Sequence, residues 1–178
     1  MEDNPAKMKI AHACVELLNT TPLESLRTQD LIQKAGVSRS TFYRLFLDKF
    51  DVANWIYWHE AEKIVQGTPK LKDWKEWTRV THAYMRKHKQ FFRNLASYQG
   101  QNSFGAFLRE YFASNTLNYR TNNGTEVSED QRYAIYAFSL IGAQSTIDWL
   151  QNDCQPDDET IIRRNEMCIP ECIRSFYE

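Results

Sequence analysis

Apolar side chains recur every three to four residues along almost the whole chain, which is the spacing of helices that bury one face. In residues 5–19, for example, Ile10, Cys14 and Leu17 share one side. The same spacing predicts two short helices around Gly36 and further helices over residues 48–66, 70–88, 89–97, 104–119, 128–150 and 157–176. Pro170 lies within the last range and is expected to kink or shorten that helix. The sequence therefore predicts an all-α fold.

The segment from Leu26 to Phe50 contains the most specific pattern. Its first half places apolar residues on one face of a helix that must end near Gly36, because glycine tolerates the left-handed backbone found at helix ends. Ser38 is suited to cap a second helix by accepting an amide hydrogen bond. Phe42 and Phe46, four residues apart, would bury the inner face of that helix. Two short helices joined by a glycine turn are typical of helix-turn-helix proteins.

The outer face of the second helix is polar and basic, and it carries Arg39, Ser40, Thr41, Tyr43 and Arg44. An exposed helix of this composition suits the major groove of DNA, where side chains form hydrogen bonds with base edges. The alternative interpretation is a three-helix unit whose role is purely structural.

Residues 35–46 (Ala-Gly-Val-Ser-Arg-Ser-Thr-Phe-Tyr-Arg-Leu-Phe) and the Asp48-Lys49 pair that follows resemble the N-terminal domain of the tetracycline-repressor (TetR) family. The match covers roughly residues 8–60. The resemblance implies a homodimer whose N-terminal helix-turn-helix DNA-binding domain spans residues 1–50. A fourth helix, at about 48–66, would connect it to a C-terminal helical domain of residues 67–178 that binds ligands and forms the dimer.

The resemblance also assigns DNA-contacting residues position by position. Thr28 and Gln29 correspond to the first turn of the second helix, and Arg39, Ser40 and Thr41 to the start of the recognition helix. Tyr43 corresponds to the phosphate-binding tyrosine, and Lys49 to the lysine that begins the fourth helix. Arg39 is the strongest candidate for reading a base, because a guanidinium can pair bidentately with guanine.

The family pattern is not matched at Arg27, Ile32, Leu45 and Leu47, where a threonine cap, a small residue, a histidine and a lysine are common. The last two changes remove polar or cationic groups near the phosphates. They are expected to affect affinity rather than fold.

Charge is unevenly distributed along the chain, although the net charge is only −1. Residues 27–49 carry five Lys or Arg against two Asp, so any attraction to DNA must come from this local surplus. Residues 69–93 carry eight Lys or Arg against two acids, whereas residues 121–178 carry four Arg against eleven acids. The basic stretch is open to three interpretations: a site for an anionic ligand, further phosphate contacts, or a solvated helix face.

Aromatic residues are dense in the first half of the C-terminal domain, at Trp74, Trp77, Tyr84, Phe91, Phe92, Phe104, Phe107, Tyr111 and Phe112. They predict an effector pocket for an aromatic or anionic compound, with Trp77, Tyr84, Phe107 and Tyr111 as candidate ligand-binding residues. The competing interpretation is that every ring packs against its neighbours and leaves no void.

The last two predicted helices are the candidate dimer surface, because the family pairs these helices in a four-helix bundle. Ala134, Ala137, Gly142 and Ala143 are small enough to allow close approach between helices, and Trp149 would lie at the edge. The alternative is that these residues pack within one chain.

The four cysteines do not predict a metal site. Cys168 and Cys172 are four residues apart on one predicted helix, but no suitably spaced histidine or cysteine pair lies nearby. Packing is therefore the expected role of the thiols, with a redox pair as the alternative. Residues 1–9 are too polar for a signal peptide, and no apolar run is long enough to span a membrane. A cytoplasmic protein with reduced thiols is expected.

No catalytic motif or cofactor-binding loop occurs, so neither enzymatic activity nor a cofactor is expected. The leading hypothesis is a ligand-responsive repressor that binds a palindromic operator in double-stranded DNA as a homodimer. The second is a similar regulator controlled by a protein partner, with no small-molecule effector. The third is a helical enzyme or carrier that reuses the fold.

Overall fold

Helices dominate the part of the chain that the structure, a computed structural model, describes, namely residues 4–67 and 73–177. They are α1 (Pro5–Leu18), α2 (Thr28–Ala35), α3 (Arg39–Leu45), α4 (Lys49–Gly67), α5 (Trp74–Lys87), α6 (Lys89–Ser97), α7 (Phe104–Asn122), α8 (Glu129–Gln151), α9 (Asp158–Met167) and a 3₁₀ helix (Glu171–Phe176). No strand occurs within these residues, and the all-α prediction is confirmed.

Two predicted helix ends differ from the observed ones. α7 continues to Asn122, so the loop predicted from residue 121 starts later and turns at Gly124, whose φ is +75°. The helix predicted over 157–176 is two elements, because Pro170 has no amide hydrogen with which to continue α9, and the 3₁₀ helix begins at the next residue. The predicted break at residues 68–69 and the first residues of the helix predicted over 70–88 lie outside the described residues.

The chain divides into two compact units. The first unit consists of α1–α4, α6 and the segment that leads from α6 to Phe104. The second unit consists of α5, α7 from Gly105 onward, α8, α9 and the 3₁₀ helix. These units are defined by packing, so the functional division into residues 1–50 and 67–178 stays a prediction.

The loop before α2 in the first unit is tied to α6 by one side chain. Asn94 accepts a hydrogen bond from the Leu23 amide at 2.7 Å and donates to the carbonyls of Leu18 and Thr21 at 2.8 and 2.7 Å. Carbonyls at the end of a helix have no partner within the helix, and Asn94 supplies one for α1. The entry to α2 is thereby fixed by a residue that lies far away in sequence.

Three aromatic residues of the predicted effector pocket lie in the core of the first unit. Phe91, Phe92 and Phe104 are buried there, and the Phe92 ring centroid is 6.2 Å from Tyr57 and 5.7 Å from Phe104. α6 packs its apolar face against α1, which explains why its phenylalanines belong to this core. They are therefore not part of a pocket within the second unit.

Ion pairs join α5 to α9 in the second unit. The pairs are Lys75–Glu166, Arg79–Glu159 and Arg86–Asp158. The basic stretch of residues 69–93 is thus balanced in part by acidic residues of the C-terminal region, which none of the three sequence interpretations included. Lys70 and Lys72 lie outside the described residues.

A buried polar cluster in the same unit centres on His82. Its Nδ1 lies 3.0 Å from Asp158 Oδ1, and its ring stacks on Trp149 with centroids 4.1 Å apart. Trp149 donates from Nε1 to the carbonyl of Pro156 at 3.1 Å. Burial alone raises the pKa of the Asp158 carboxyl, but hydrogen bonds and charges from His82 and Arg86 outweigh it and hold that pKa below its ordinary value.

Replacing Asp158 by asparagine is expected to lower the free energy of unfolding at pH 7 by about 1–3 kcal/mol, because the charged partner of a buried histidine and an arginine is lost. The pKa of Asp158 is lower in the folded chain than in the unfolded one. Its ionised form therefore stabilises the fold above about pH 4, and this contribution disappears as the pH falls below that value. Urea unfolding at pH 7 and at about pH 3 should show a smaller loss on acidification for the variant than for the wild type.

Glu159→Gln is the control, since it breaks an exposed pair on the same helix. Exposed ion pairs contribute little to stability, so this variant should unfold like the wild type. If Asp158→Asn is as stable as the wild type at pH 7, the cluster around His82 does not stabilise the fold.

Candidate DNA-binding site

The turn between α2 and α3 contains a left-handed glycine, as predicted. Gly36 has a φ of +63°, and the amides of Gly36 and Val37 donate to the carbonyls of Gln33 and Ile32 at 3.2 and 3.3 Å. A Cβ on Gly36 would meet no atom within 4 Å. The backbone conformation alone therefore favours glycine here.

The inner face of α3 is fixed by its cap and by two phenylalanines. Ser38 Oγ accepts a hydrogen bond from the Thr41 amide at 3.0 Å, which is the predicted cap. Phe42 and Phe46 are buried, and the Phe46 ring meets Trp55 of α4 edge to face at 5.7 Å. These contacts hold α3 with its opposite face in solvent.

The predicted DNA-contacting residues lie at the starts of α2 and α4 and along α3. Four of them are exposed, namely Gln29, Arg39, Ser40 and Tyr43, and the half-buried ones are Thr28, Thr41 and Lys49. Exposure of the polar side of α3, with its apolar side buried, is what insertion into a DNA groove requires.

The N-cap position of α2 is occupied by Arg27, whose side chain cannot accept a hydrogen bond from the first turn. Asp30 Oδ2 accepts a hydrogen bond from the Arg27 amide at 3.3 Å, and the Arg27 guanidinium donates to the two Asp30 oxygens at 3.0 and 2.8 Å. The side-chain hydrogen bond from Arg27 lowers the pKa of the Asp30 carboxyl. The carboxylate thus supplies the half of a capping box that satisfies the N-cap amide, while no side-chain oxygen at position 27 accepts from the first turn.

Asp48, the first residue of the Asp-Lys motif that follows α3, caps the next helix. Its Oδ1 accepts hydrogen bonds from the amides of Phe50 and Asp51, both at 2.8 Å. Asp48 therefore caps α4.

Lys49 is the second residue of this motif. Its Nζ donates to the carbonyls of Glu24 and Leu26, both at 2.7 Å, and so holds the loop before α2 against the start of α4. Burial lowers the pKa of Lys49, although the charges of Glu24 and Asp48 oppose the shift. The contact to the DNA backbone that the family resemblance implies for Lys49 stays a prediction.

Sequence reasoning placed Leu47 near the DNA phosphates but missed Lys7 as a neighbour of the site. Leu47 is 81% exposed directly after α3. Lys7 of α1 places its Nζ 5.1 and 5.2 Å from the ring centroids of Phe46 and Trp55. The spacing within α1 gives no signal for this contact, because Trp55 belongs to α4 and Phe46 follows the end of α3.

The small residues assigned to the dimer surface pack largely within the chain. Ala134, Ala143 and Trp149 are buried, and a Cβ on Gly142 would lie 3.6 Å from the Phe112 ring of α7. The expectation that Ala134, Ala143 and Trp149 face a partner was wrong, because they are buried inside the second unit. Gly142 is half-buried, and its lack of a side chain allows close packing against Phe112. Ala137 is half-buried. The exposed large apolar side chains of α8 are Tyr133, Tyr136, Leu140 and Ile141.

Three of the four candidate ligand-binding residues form one cluster in the second unit. The ring centroid of Tyr111, which is buried, lies 5.7 Å from Phe107 and 6.4 Å from Trp77, and both of these are half-buried. Tyr84, also half-buried, is on α5. A surface groove of about 390 Å³ lies elsewhere, and it is lined by Lys75, Arg79, Glu159, Thr160, Ile162, Arg163 and Glu166.

The cysteines divide into two kinds. Cys14 and Cys154 are buried, and burial raises the pKa of the Cys14 thiol to about 12. Cys168 and Cys172 are exposed, one at the end of α9 and the other in the 3₁₀ helix. The prediction that one helix carries both and buries them was wrong, because Pro170 lies between them.

Residues 4–67 and 73–177 contain no group of three or more His, Cys, Asp or Glu side chains that could hold a metal ion. Among the helices of this described part, none is long and apolar enough to cross a membrane.

Comparisons with known proteins connect the fold to a family. Residues 72–169 match the TetR-type family described as "Transcriptional regulator C-terminal region". The dihydroxyacetone kinase operon activator DhaS superposes with a TM-score of 0.60 at 13% identity, over 97% of this chain and 98% of that one. A structure described as a putative TetR-family transcriptional regulator from Syntrophomonas wolfei str. Goettingen superposes with a TM-score of 0.59 at 17% identity. The match covers 93% of this chain and 96% of that one. No curated protein matches the chain.

The helix-turn-helix, the all-α fold and the family match together define a transcriptional regulator. Because the match extends over more than half of its length, the chain belongs to the TetR family. At their low identities, the two solved structures establish the shared fold alone.

Proposed function

We propose that this regulator binds a palindromic operator in double-stranded DNA as a homodimer and acts as a ligand-responsive repressor. The exposed face of α3 carries the proposal: Arg39, Tyr43 and Arg44 lie in solvent, while Phe42 and Phe46 fix the opposite face. A short helix held in this way can enter the major groove and present its side chains to base edges.

Selection of bound duplexes from a random pool tests sequence-specific binding. After several rounds with the full chain, the enriched duplexes are expected to share a palindrome whose half-sites are about 10 base pairs, or a multiple of this, apart, as a twofold dimer requires. Recovery of duplexes with no common sequence would contradict the proposal.

Replacing Arg39 by alanine is expected to weaken binding to the selected duplex by about 1–3 kcal/mol, because a bidentate contact to a base is lost. Binding to a scrambled duplex of equal length should change much less. Fluorescence anisotropy with both duplexes measures the two affinities. Arg164→Ala, which removes an exposed arginine of α9, is the control of equal charge. Equal losses of Arg39→Ala on both duplexes would exclude base reading by this side chain.

Replacing Lys49 by alanine is expected to act differently. Binding to both duplexes should weaken alike, and the plot of log affinity against log salt should lose about one unit of slope for the phosphate contact removed. The melting temperature should also fall, since two carbonyls of the loop before α2 lose their donor. An unchanged salt slope with a lower melting temperature would leave Lys49 with the structural role alone.

The exposed apolar side chains of α8 support assembly. Tyr133, Tyr136, Leu140 and Ile141 are large and lie in solvent in the single chain. Contiguous apolar surface of this kind marks an interaction site, and a second copy of the chain is the partner that the family relationship favours.

An aromatic or anionic effector is proposed to bind at the ring cluster of Trp77, Phe107 and Tyr111, with Tyr84 further along α5 as a fourth candidate. The half-buried rings of Trp77 and Phe107 provide the apolar wall that small-molecule sites need, and a tyrosine hydroxyl group can orient a polar group. A bound compound changes DNA affinity only through its different affinities for the two states of the protein.

A thermal-shift screen with aromatic carboxylates tests the effector site. A compound that stabilises the wild type and not Trp77→Ala would support it. Absence of stabilisation by every compound would favour the alternative, control by a protein partner without a small ligand.

A further inference from the structure

The hydroxyl groups at the start of α3 are engaged with one another. Ser38 Oγ accepts from the Thr41 amide at 3.0 Å, donates to Thr41 Oγ1 at 2.9 Å and lies 2.9 Å from Ser40 Oγ. The bond from the Thr41 amide caps the helix, and the other two tie the hydroxyl groups of Ser40 and Thr41 to the capping serine. A hydroxyl that turned toward DNA would give up its bond in this group. Arg39 is the remaining polar side chain of this turn, and it is exposed.

Arg39 lies over the ring of Tyr43, one helical turn further along. Its guanidinium carbon is 5.3 Å from the ring centroid. Residues four apart face the same side of a helix, so this contact needs no distortion of α3. The contact is of the cation–π type, in which the negative face of the ring attracts the guanidinium.

The ring of Tyr43 is itself held by the core. It meets the Phe42 ring edge to face, with centroids 5.3 Å apart and planes at 82°. Phe42 is completely buried. A line of contacts therefore runs from the core of the first unit, through Tyr43, to the guanidinium of Arg39.

We propose that Tyr43 is a positioning residue, whose ring holds the Arg39 guanidinium ready to read a base. This function of the ring is separate from any bond that the hydroxyl makes to a phosphate, and it rests on the proposed DNA-binding function. An arginine side chain has many rotamers, and ordering it before binding reduces the entropy lost when it pairs with a base. The contact would thus favour the correct sequence over others.

The ring and the hydroxyl can be separated by two substitutions. Tyr43→Phe keeps the ring and removes the hydroxyl. Affinity should therefore fall equally for the selected and the scrambled duplex, and the ratio of the two affinities should stay as in the wild type. Tyr43→Leu removes the ring but keeps an apolar side chain against Phe42, so the ratio should fall by about two- to fivefold, the range of an exposed cation–π contact. In the Arg39→Ala background, Tyr43→Leu should leave the ratio unchanged, because the guanidinium that it positions is gone.

A spectroscopic measurement without DNA tests the contact directly. The side-chain protons of Arg39 near the ring face should be shifted upfield in the NMR spectrum of the wild type. The shift should persist in Tyr43→Phe and disappear in Tyr43→Leu. Thermal melting of each variant shows that α3 is folded at the temperature of the measurement.

The outcomes separate the two proposals. If the wild type enriches no sequence, the DNA-reading function fails and the positioning role fails with it. If a sequence is enriched but Tyr43→Leu keeps the wild-type ratio, the positioning role alone is overturned. A ratio that falls equally with and without Arg39, or identical Arg39 shifts in all three proteins, overturns it too.

Discussion

Replacing Leu140 by arginine is expected to convert the proposed homodimer into monomers. Leu140 is 53% exposed in the single chain and lies among the other exposed apolar side chains of α8. In a twofold interface the same patch meets itself, so both copies of the arginine would be buried without a partner. A buried unpaired charge destabilises the dimer by about 3–5 kcal/mol, so its dissociation constant should rise by at least about a hundredfold.

Sedimentation equilibrium at micromolar concentration measures this change, with Tyr119→Arg as the control. Tyr119 is a large exposed side chain of α7, so its replacement adds the same charge to a different surface of the second unit. A monomeric wild type would contradict the dimer, and a Leu140→Arg protein that stays dimeric would exclude this face of α8. Monomers should also lose most of their affinity for the selected palindrome, because each would hold one half-site only.

Gly142→Arg, which the small-residue pattern favours as a test, would not probe the dimer. Gly142 faces the ring of Phe112 in the same chain, 3.6 Å from where a Cβ would be. A long charged side chain there would disturb the packing of α7 on α8, and a monomer could then result from misfolding.

The helix-turn-helix could be predicted from the sequence because its determinants are local. The left-handed turn at Gly36, the cap at Ser38 and the four-residue spacing of Phe42 and Phe46 each involve residues within one or two helical turns. Local hydrogen bonds and helical spacing act in the same way in any protein, so the pattern alone identifies them.

The contacts of the second unit could not be predicted in this way. Composition showed a basic stretch and an acidic C-terminal region, but not that Arg79 pairs with Glu159 or that Arg86 pairs with Asp158. Trp149 was expected at the edge of the dimer surface. Its ring is instead covered by His82 of α5, whose position in space is set by the tertiary fold.

Lys49 shows the same limit within the candidate site. A lysine at the start of α4 matches the family pattern for a contact to DNA. Its two observed acceptors are the backbone carbonyls of Glu24 and Leu26. Every residue has a backbone carbonyl, so residue types do not indicate which ones accept. Sequence could therefore place the lysine but not its partners.

Replacing Phe42 by alanine is expected to abolish DNA binding by unfolding the site rather than by removing a contact. Phe42 is completely buried and meets the rings of Tyr43 and Phe46, with centroids 5.3 and 6.2 Å away. Truncating a buried phenylalanine lowers the free energy of unfolding by about 3–5 kcal/mol, through lost burial and the cavity left behind. This is a large share of the roughly 5–15 kcal/mol that stabilises a typical domain. Urea unfolding followed by tryptophan fluorescence, with Trp55 as a reporter beside Phe46, should show a much earlier transition.

Leu47→Ala is the matched control, since it also truncates an apolar side chain. Leu47 lies just after α3, and its side chain is 81% exposed. The unfolding midpoint of this variant should stay within the small range expected for surface substitutions, about 0.5 kcal/mol. The Phe42→Ala protein should still sediment as a dimer, because the proposed interface lies on α8 in the second unit. A variant that retains the wild-type unfolding midpoint but loses DNA binding would contradict the structural role of Phe42 and indicate that its side chain contacts DNA.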